Sequence, residues 1–126
     1  MNIGNIHDKT TVIPFLATAA RTTTTNGTGI DIKDYTGKIK VVLDSAAGTG
    51  TSPTLDVKLQ ESDTVGGTYV DISGAAFTQV VGASSLQSIG LEVNDRKRFI
   101  RAVATIGGTS PSFTSSVNAI GMKASL

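Results

Sequence analysis

Residues 50–62, GTSPTLDVKLQES, decide what kind of fold this chain adopts. From Leu55 onward apolar and polar residues alternate, with Leu55, Val57 and Leu59 on one side and Asp56, Lys58 and Gln60 on the other. A period of two marks a strand with one buried face, because successive side chains leave a pleated backbone in opposite directions. Pro53 fits the start of such a strand, where its missing N–H is not needed by a ladder.

The same rhythm extends in both directions. Upstream, Ile30 and Ile32 alternate with Asp31 and Lys33, Asp34-Tyr35-Thr36-Gly37 reads as a turn, and KIKVVLDS (38–45) sets Ile39, Val41 and Leu43 against Lys38, Lys40 and Asp44. AAGTGTSP (46–53) reads as a glycine-rich loop. Downstream, Asp63 to Gly67 form a loop, TYVDIS supplies Val70 and Ile72, and Ser73-Gly74 turns into AAFTQVV. SIGLEVN places Ile89, Leu91 and Val93 on one face, Asn94-Asp95 turns, RFIRAVATI is a long strand, GGTSPS is a second loop, and FTSSVNAIGMKASL ends the chain. About eight short strands with closely spaced turn signals and no helical period predict an all-β fold, an antiparallel β-sandwich of the jelly-roll or Ig-like kind. The expected division is an extended N-terminal arm over 1–29 and a sandwich domain over 30–126. A helix over 12–21 is opposed by Pro14 and by the threonine run that follows.

Gly-Thr-Ser-Pro occurs twice, at 50–53 and 108–111. Turn chemistry is the simpler explanation of the echo, since proline suits a strand's first residue, and a duplicated unit is the alternative.

Composition removes many function classes. Net charge is +1 and the pI near 8.0, so no overall field recruits nucleic acid or membrane. There is no Cys and no Trp, and His7 is the single histidine, which excludes thiolate zinc sites and cysteine nucleophiles and weakens every histidine-dependent mechanism. Gly, Ser and Thr fill 44 of the 126 positions, a mixture suited to short strands and tight turns. The segment VIPFLATAA after Lys9 has the outline of a secretion signal, but it is short and broken by Pro14, and no run reaches transmembrane length; a soluble chain is expected.

No catalytic signature is present. There is no GxSxG elbow, and Gly66-Gly67 and Gly107-Gly108 lack the lysine and helix of a phosphate loop. Glu61, Asp63 and Asp71 flank one hairpin without the spacing of a calcium loop and read as solvated polarity. Asn26-Gly27-Thr28 matches a glycosylation sequon of low specificity. No enzyme, cofactor or metal is expected.

The densest charge lies in NDRKRFIRA (94–102), which gathers Arg96, Lys97, Arg98 and Arg101. Strand alternation would put Arg96 and Arg98 opposite Lys97, with Phe99 and Arg101 on the side of Lys97. Split charge beside Glu92 and Asp95 argues against a nucleic-acid surface, leaving a solvated hairpin with edge-protecting charge or an anchor for an acidic protein.

The order VVLDSAAGTGTSPTLDVKLQESDTVGGTYVDISGAAFTQV followed by RKRFIRAVATIGGTSPSFTSSVNAIG resembles small structural proteins of tailed bacteriophages, and among them capsid decoration (cement) proteins, across residues 30–121. The resemblance implies a virion protein on the outer surface of the capsid, a homotrimer that clamps neighbouring subunits of the major capsid protein. A tail or neck component and a carbohydrate-binding adhesion module are the alternatives, the latter poorly supplied with aromatics since Tyr35 and Tyr69 are the only tyrosines. On this reading the arm lies along a neighbouring subunit or the capsid floor with Ile3, Ile6, Val12, Ile13, Phe15 and Leu16 as anchors, and Arg96, Lys97, Arg98 and Arg101 pair with capsid carboxylates.

Overall fold

The computed structural model describes residues 10–123, and every regular element among them is a strand. There are eight: β1 (Thr10–Arg21), β2 (Thr25–Asn26), β3 (Ile30–Asp31), β4 (Tyr35–Ser45), β5 (Thr49–Ser62), β6 (Val70–Ala76), β7 (Ser85–Glu92) and β8 (Phe99–Lys123). All pairings are antiparallel.

The frame is one long two-stranded ribbon folded double. β5 runs along the first half of β8, from Ser62 opposite Phe99 to Thr54 opposite Gly107. β4 runs along the second half, from Ser45 opposite Ser115 to Lys40 opposite Ile120. One layer is therefore β7-β4-β8-β1; the other is β6-β5-β8, with the two-residue strands β2 and β3 on the far side of β8. The sheet comes close to closing on itself where the Gln87 side chain donates to the carbonyl of Thr78 and accepts from its N–H, each at 2.8 Å.

The alternation seen in the sequence is what fills the space between the layers. Ile39, Val41, Leu43, Phe113, Val117 and Ala119 meet Leu55, Val57, Leu59, Ile100, Ala102 and Ala104 in one core. Val41, Leu43, Leu55, Leu59, Ile100 and Phe113 are wholly buried, and each such apolar side chain is worth roughly 1.5–3 kcal/mol relative to exposure.

The two Gly-Thr-Ser-Pro segments are not the separate loops that their composition suggests. They lie across from each other where the ribbon bends, with Thr51 opposite Thr109, Thr49 opposite Ser112 and Thr54 opposite Gly107. Swapping the two copies turns each of these pairs into another pair of the set, so the corner has a local two-fold axis through Thr51 and Thr109. Its backbone repeats accordingly: φ is 49° at both Ser52 and Ser110, 104° at Gly50 and 113° at Gly108. A Cβ on Gly50 would strike the carbonyl oxygen of Ser110, and one on Gly108 would lie 2.7 Å from that of Ser52. Each copy thus needs its glycine because the other occupies the space. Pro53 and Pro111 sit in the interior of long strands at this irregularity, a position open to proline only where the ladder is broken.

Residues 10–21 depart further from expectation. They are a sheet strand, not an arm reaching for a neighbour: β1 pairs with its own chain's β8 from Thr10 opposite Met122 to Arg21 opposite Phe113. Ile13, Phe15 and Leu16 are only 3%, 3% and 6% exposed and belong to the core, so they are unavailable as anchors for another protein. Consecutive burial of Phe15 and Leu16 is possible because the register slips between Pro14 and Leu16 and again between Leu16 and Ala19. The guanidinium of Arg21 takes up carbonyls around the second slip, donating to Ala17, to Ala19 at 3.3 Å and to Ser115 at 2.7 Å. Beyond β1, Gly27 donates to the Ala102 carbonyl at 2.7 Å, so no boundary separates residues 10–29 from the sandwich. Ile3, Ile6 and His7 lie outside the described residues.

Candidate functional site

The basic run sits at one end of the sandwich, where β7 turns into β8. The turn occupies Asn94–Asp95 and β8 begins only at Phe99, so strand alternation does not govern residues 96–98. Each basic head meets a group from another part of the chain. Arg98 donates through Nε and Nη2 to one oxygen of Asp31, at 3.1 and 2.8 Å, and its guanidinium lies 5.3 Å from the Phe99 ring centre. Lys97 reaches Asp63 at 3.2 Å, while its backbone N–H donates to Glu61 at 2.8 Å. Arg96 faces the second Glu61 oxygen at 3.7 Å, and its Nε is buried with no hydrogen-bond partner. Arg101 forks onto the side-chain Oε1 of Gln60 at 3.0 and 2.8 Å and stacks 4.2 Å from the Tyr69 ring centre. Gln60 passes its amide to Asp71 at 2.8 Å, and Asp71 also takes Lys58 at 3.0 Å.

The hydrogen bond from Arg98 holds the Asp31 carboxyl below the usual carboxylate range, and Asp31 in turn raises Arg98. Asp71 is likewise drawn down, first by Gln60 and then by Lys58. Exposed pairs of this kind are screened by solvent and contribute little to stability, so they arrange the end of the molecule more than they hold it together.

Glu61, Asp63 and Asp71, which the sequence presents as solvated polarity, are thus the counter-charges of the basic residues and of Lys58. Arg96, Lys97, Arg98 and Arg101 do not form a free basic patch for an acidic partner. Among the described residues no three acids or histidines gather closely enough to hold a metal ion. An open cleft of about 340 Å³ at this end is lined by Ile32, Lys33, Tyr35, Val93, Asn94 and the three basic residues 96–98. Neither tyrosine offers a bare platform: Tyr69 is covered by Arg101 and donates to the Val65 carbonyl at 2.8 Å, and Tyr35 packs against the core.

The opposite kind of surface lies on the outer face of β1 and the second half of β8. Val12 is 65% exposed and stands directly opposite Ile120 at 43%, while Met122 at 45% stands opposite Thr10. Pro14, also exposed, faces Asn118. Of the anchors expected in the N-terminal segment, Val12 alone among the described ones points outward. Ile120 and Met122 are the residues that sequence reading missed. The signal was available in NAIGMK: once Val117 and Ala119 face inward, Ile120 and Met122 must face out.

No known protein-family model matches this chain, and a search of curated proteins finds no significant relative.

Proposed function

We propose that this protein is a capsid decoration protein of a tailed bacteriophage, a non-enzymatic module that binds the outer shell and bridges subunits of the major capsid protein. The observation that carries the reading is the exposed Val12, Pro14, Ile120 and Met122 surface on a doubled ribbon whose basic residues are largely engaged by its own polar groups. Contiguous exposed apolar side chains mark a docking surface. In this reading the patch replaces the basic run as the contact with the shell. Many copies, each with a modest contact, reinforce the shell through repetition.

The test is binding of the purified protein to purified undecorated shells. Val12→Asp combined with Ile120→Asp should abolish binding while the far-ultraviolet circular dichroism stays that of a β protein. Binding equal to the unmodified chain would overturn the assignment of the face. Quantitative mass spectrometry of particles tests the station itself: copies on the order of hundreds per particle belong to a shell, and a handful to a tail or neck.

A further inference from the structure

A sheet edge is a row of free N–H and C=O groups, and folded chains blunt it with breaks, proline, charge or brevity. Three of the edges here are blunted. β1 carries Pro14 and two register slips, β2 and β3 are two residues long, and β6 is bulged between its contacts to Lys58 and Gln60, with Gly74 at φ 78°. β7 has none of these breaks, although its Gln87 side chain is tied to Thr78 and its Gly90 shares an open cleft with Ile72 to Ala75 of β6. Its register with β4 is unbroken from Ser85 opposite Ser45 to Glu92 opposite Lys38, and it carries no charge before Glu92.

The phase of the β4–β7 ladder shows which groups are free. Val93 donates to the Gly37 carbonyl at 2.9 Å, so the odd-numbered residues of β7 bond to β4 and Leu86, Ser88 and Gly90 turn their main-chain groups away from it. All three residues are exposed, Leu86 at 74%.

Gly90 has no reason within the chain to be glycine. Every other glycine inside a described strand either adopts positive φ or would bring a Cβ within about 3 Å of a neighbour; Gly90 does neither, its nearest such neighbour being Lys38 Cδ at 4.0 Å. Glycine in mid-strand costs roughly 0.5–1 kcal/mol against alanine, and such a position often marks the close approach of another backbone.

We propose that β7 pairs antiparallel with β7 of a second copy of this chain about a two-fold axis at Ser88. Only pairs of even-numbered residues can then exchange main-chain bonds, and this register pairs Ser88 with Ser88 of the second copy and Leu86 with Gly90 of the second copy. The exposed leucine of each copy covers the bare position of the other, an isologous fit. Lys40, Val42, Leu86 and Ser88 border an open groove of about 360 Å³ beside that position, which receives the second leucine. Charges agree with the pairing. Across the seam Lys40 and Gly90 lie in one row with Leu86 and Asp44 of the second copy, so opposite signs flank the contact and no like charges face each other. The joined layers form one continuous sheet, with a Val12–Ile120 patch at each far side.

Sedimentation equilibrium of the purified chain should show a dimer. Leu86→Lys should abolish it by charging the seam, and Gly90→Thr by filling the space, with the unfolding midpoint of the Gly90→Thr chain no lower than the original when both are compared at concentrations where they are monomeric. Because the chain has no cysteine, Ser88→Cys supplies a unique thiol whose two copies sit about 5.5 Å apart at Cα in this register, within disulfide range. Mild oxidation should convert it to a covalent dimer, whereas Thr105→Cys on the other layer should stay single. A wild-type monomer or trimer, or a dimer that survives both Leu86→Lys and Gly90→Thr, would overturn the proposal. A trimer would instead match the threefold assembly that the resemblance implies.

Discussion

The two edges of one layer, β1 and β7, are built on opposite plans. β1 is irregular, yet buries Ile13, Phe15 and Leu16 and ties off its second slip with Arg21. β7 is regular, but apart from Leu91 its described side chains are half-buried or exposed. Regular pairing and burial therefore do not go together here. The broken strand belongs to the interior of its own chain, and the unbroken one is the better template for another chain. Loss of regularity at β1 is the device that lets two neighbouring apolar residues enter the core and at the same time spoils the edge for strangers.

The strongest way to break this contrast is to truncate both strands at their largest apolar residues. Phe15→Ala should cost about 3–5 kcal/mol of unfolding free energy in urea titrations, whereas Leu86→Ala should stay within about 0.5 kcal/mol in the monomer range of concentration. Equal costs would mean that β1 is not part of the core. The corner offers an intermediate test, because there irregularity is shared between two segments. Gly108→Ala should cost on the order of 1–3 kcal/mol, as alanine must take φ near 113° beside the Ser52 carbonyl, and Gly50→Ala should behave alike. Since each glycine touches the other copy, the double variant should depart from the sum of the singles by at least about 0.5 kcal/mol.

The smallest effect belongs to the charged end. Asp31 has a folded pKa depressed by Arg98, so its contribution is present at neutral pH, above the unfolded value, and disappears as pH falls through the carboxylate range. The stability difference between the original chain and Asp31→Asn should accordingly be largest near pH 7 and shrink on acidification. A difference constant with pH would assign the residue a purely steric role.

What the sequence makes legible follows from the same contrast. β4, β5, β7 and the first half of β8 announce themselves by apolar residues recurring at every second position, Ile39, Val41 and Leu43 in β4 and Leu55, Val57 and Leu59 in β5 being the clearest. β1 does not, because its slips place Phe15 and Leu16 on the same side and Pro14 stands among them. The Gly-Thr-Ser-Pro segments and Ser73-Gly74 look like turns for a sound reason, positive φ, but the chain uses them to bend and bulge strands that continue. At the charged end the cluster of basic residues is plain in the sequence and its meaning is not. Asp31 is 67 positions from Arg98 and Gln60 is 41 from Arg101, distances that only the fold closes. Gly90 is similar: its presence is visible, but that nothing in the chain requires it emerges only once every neighbour has been placed.

β8 is the last described strand, yet β1, β2, β3, β4 and β5 all find their hydrogen-bonding partner in it. β4 can pair with β7 and β5 with β6 before β8 is made, but β1, β2 and β3 have no other described partner, so the two layers join only once β8 is in place. A fold whose pairings are so largely long-range closes slowly, and a cut within β8 would strip partners from five strands at once.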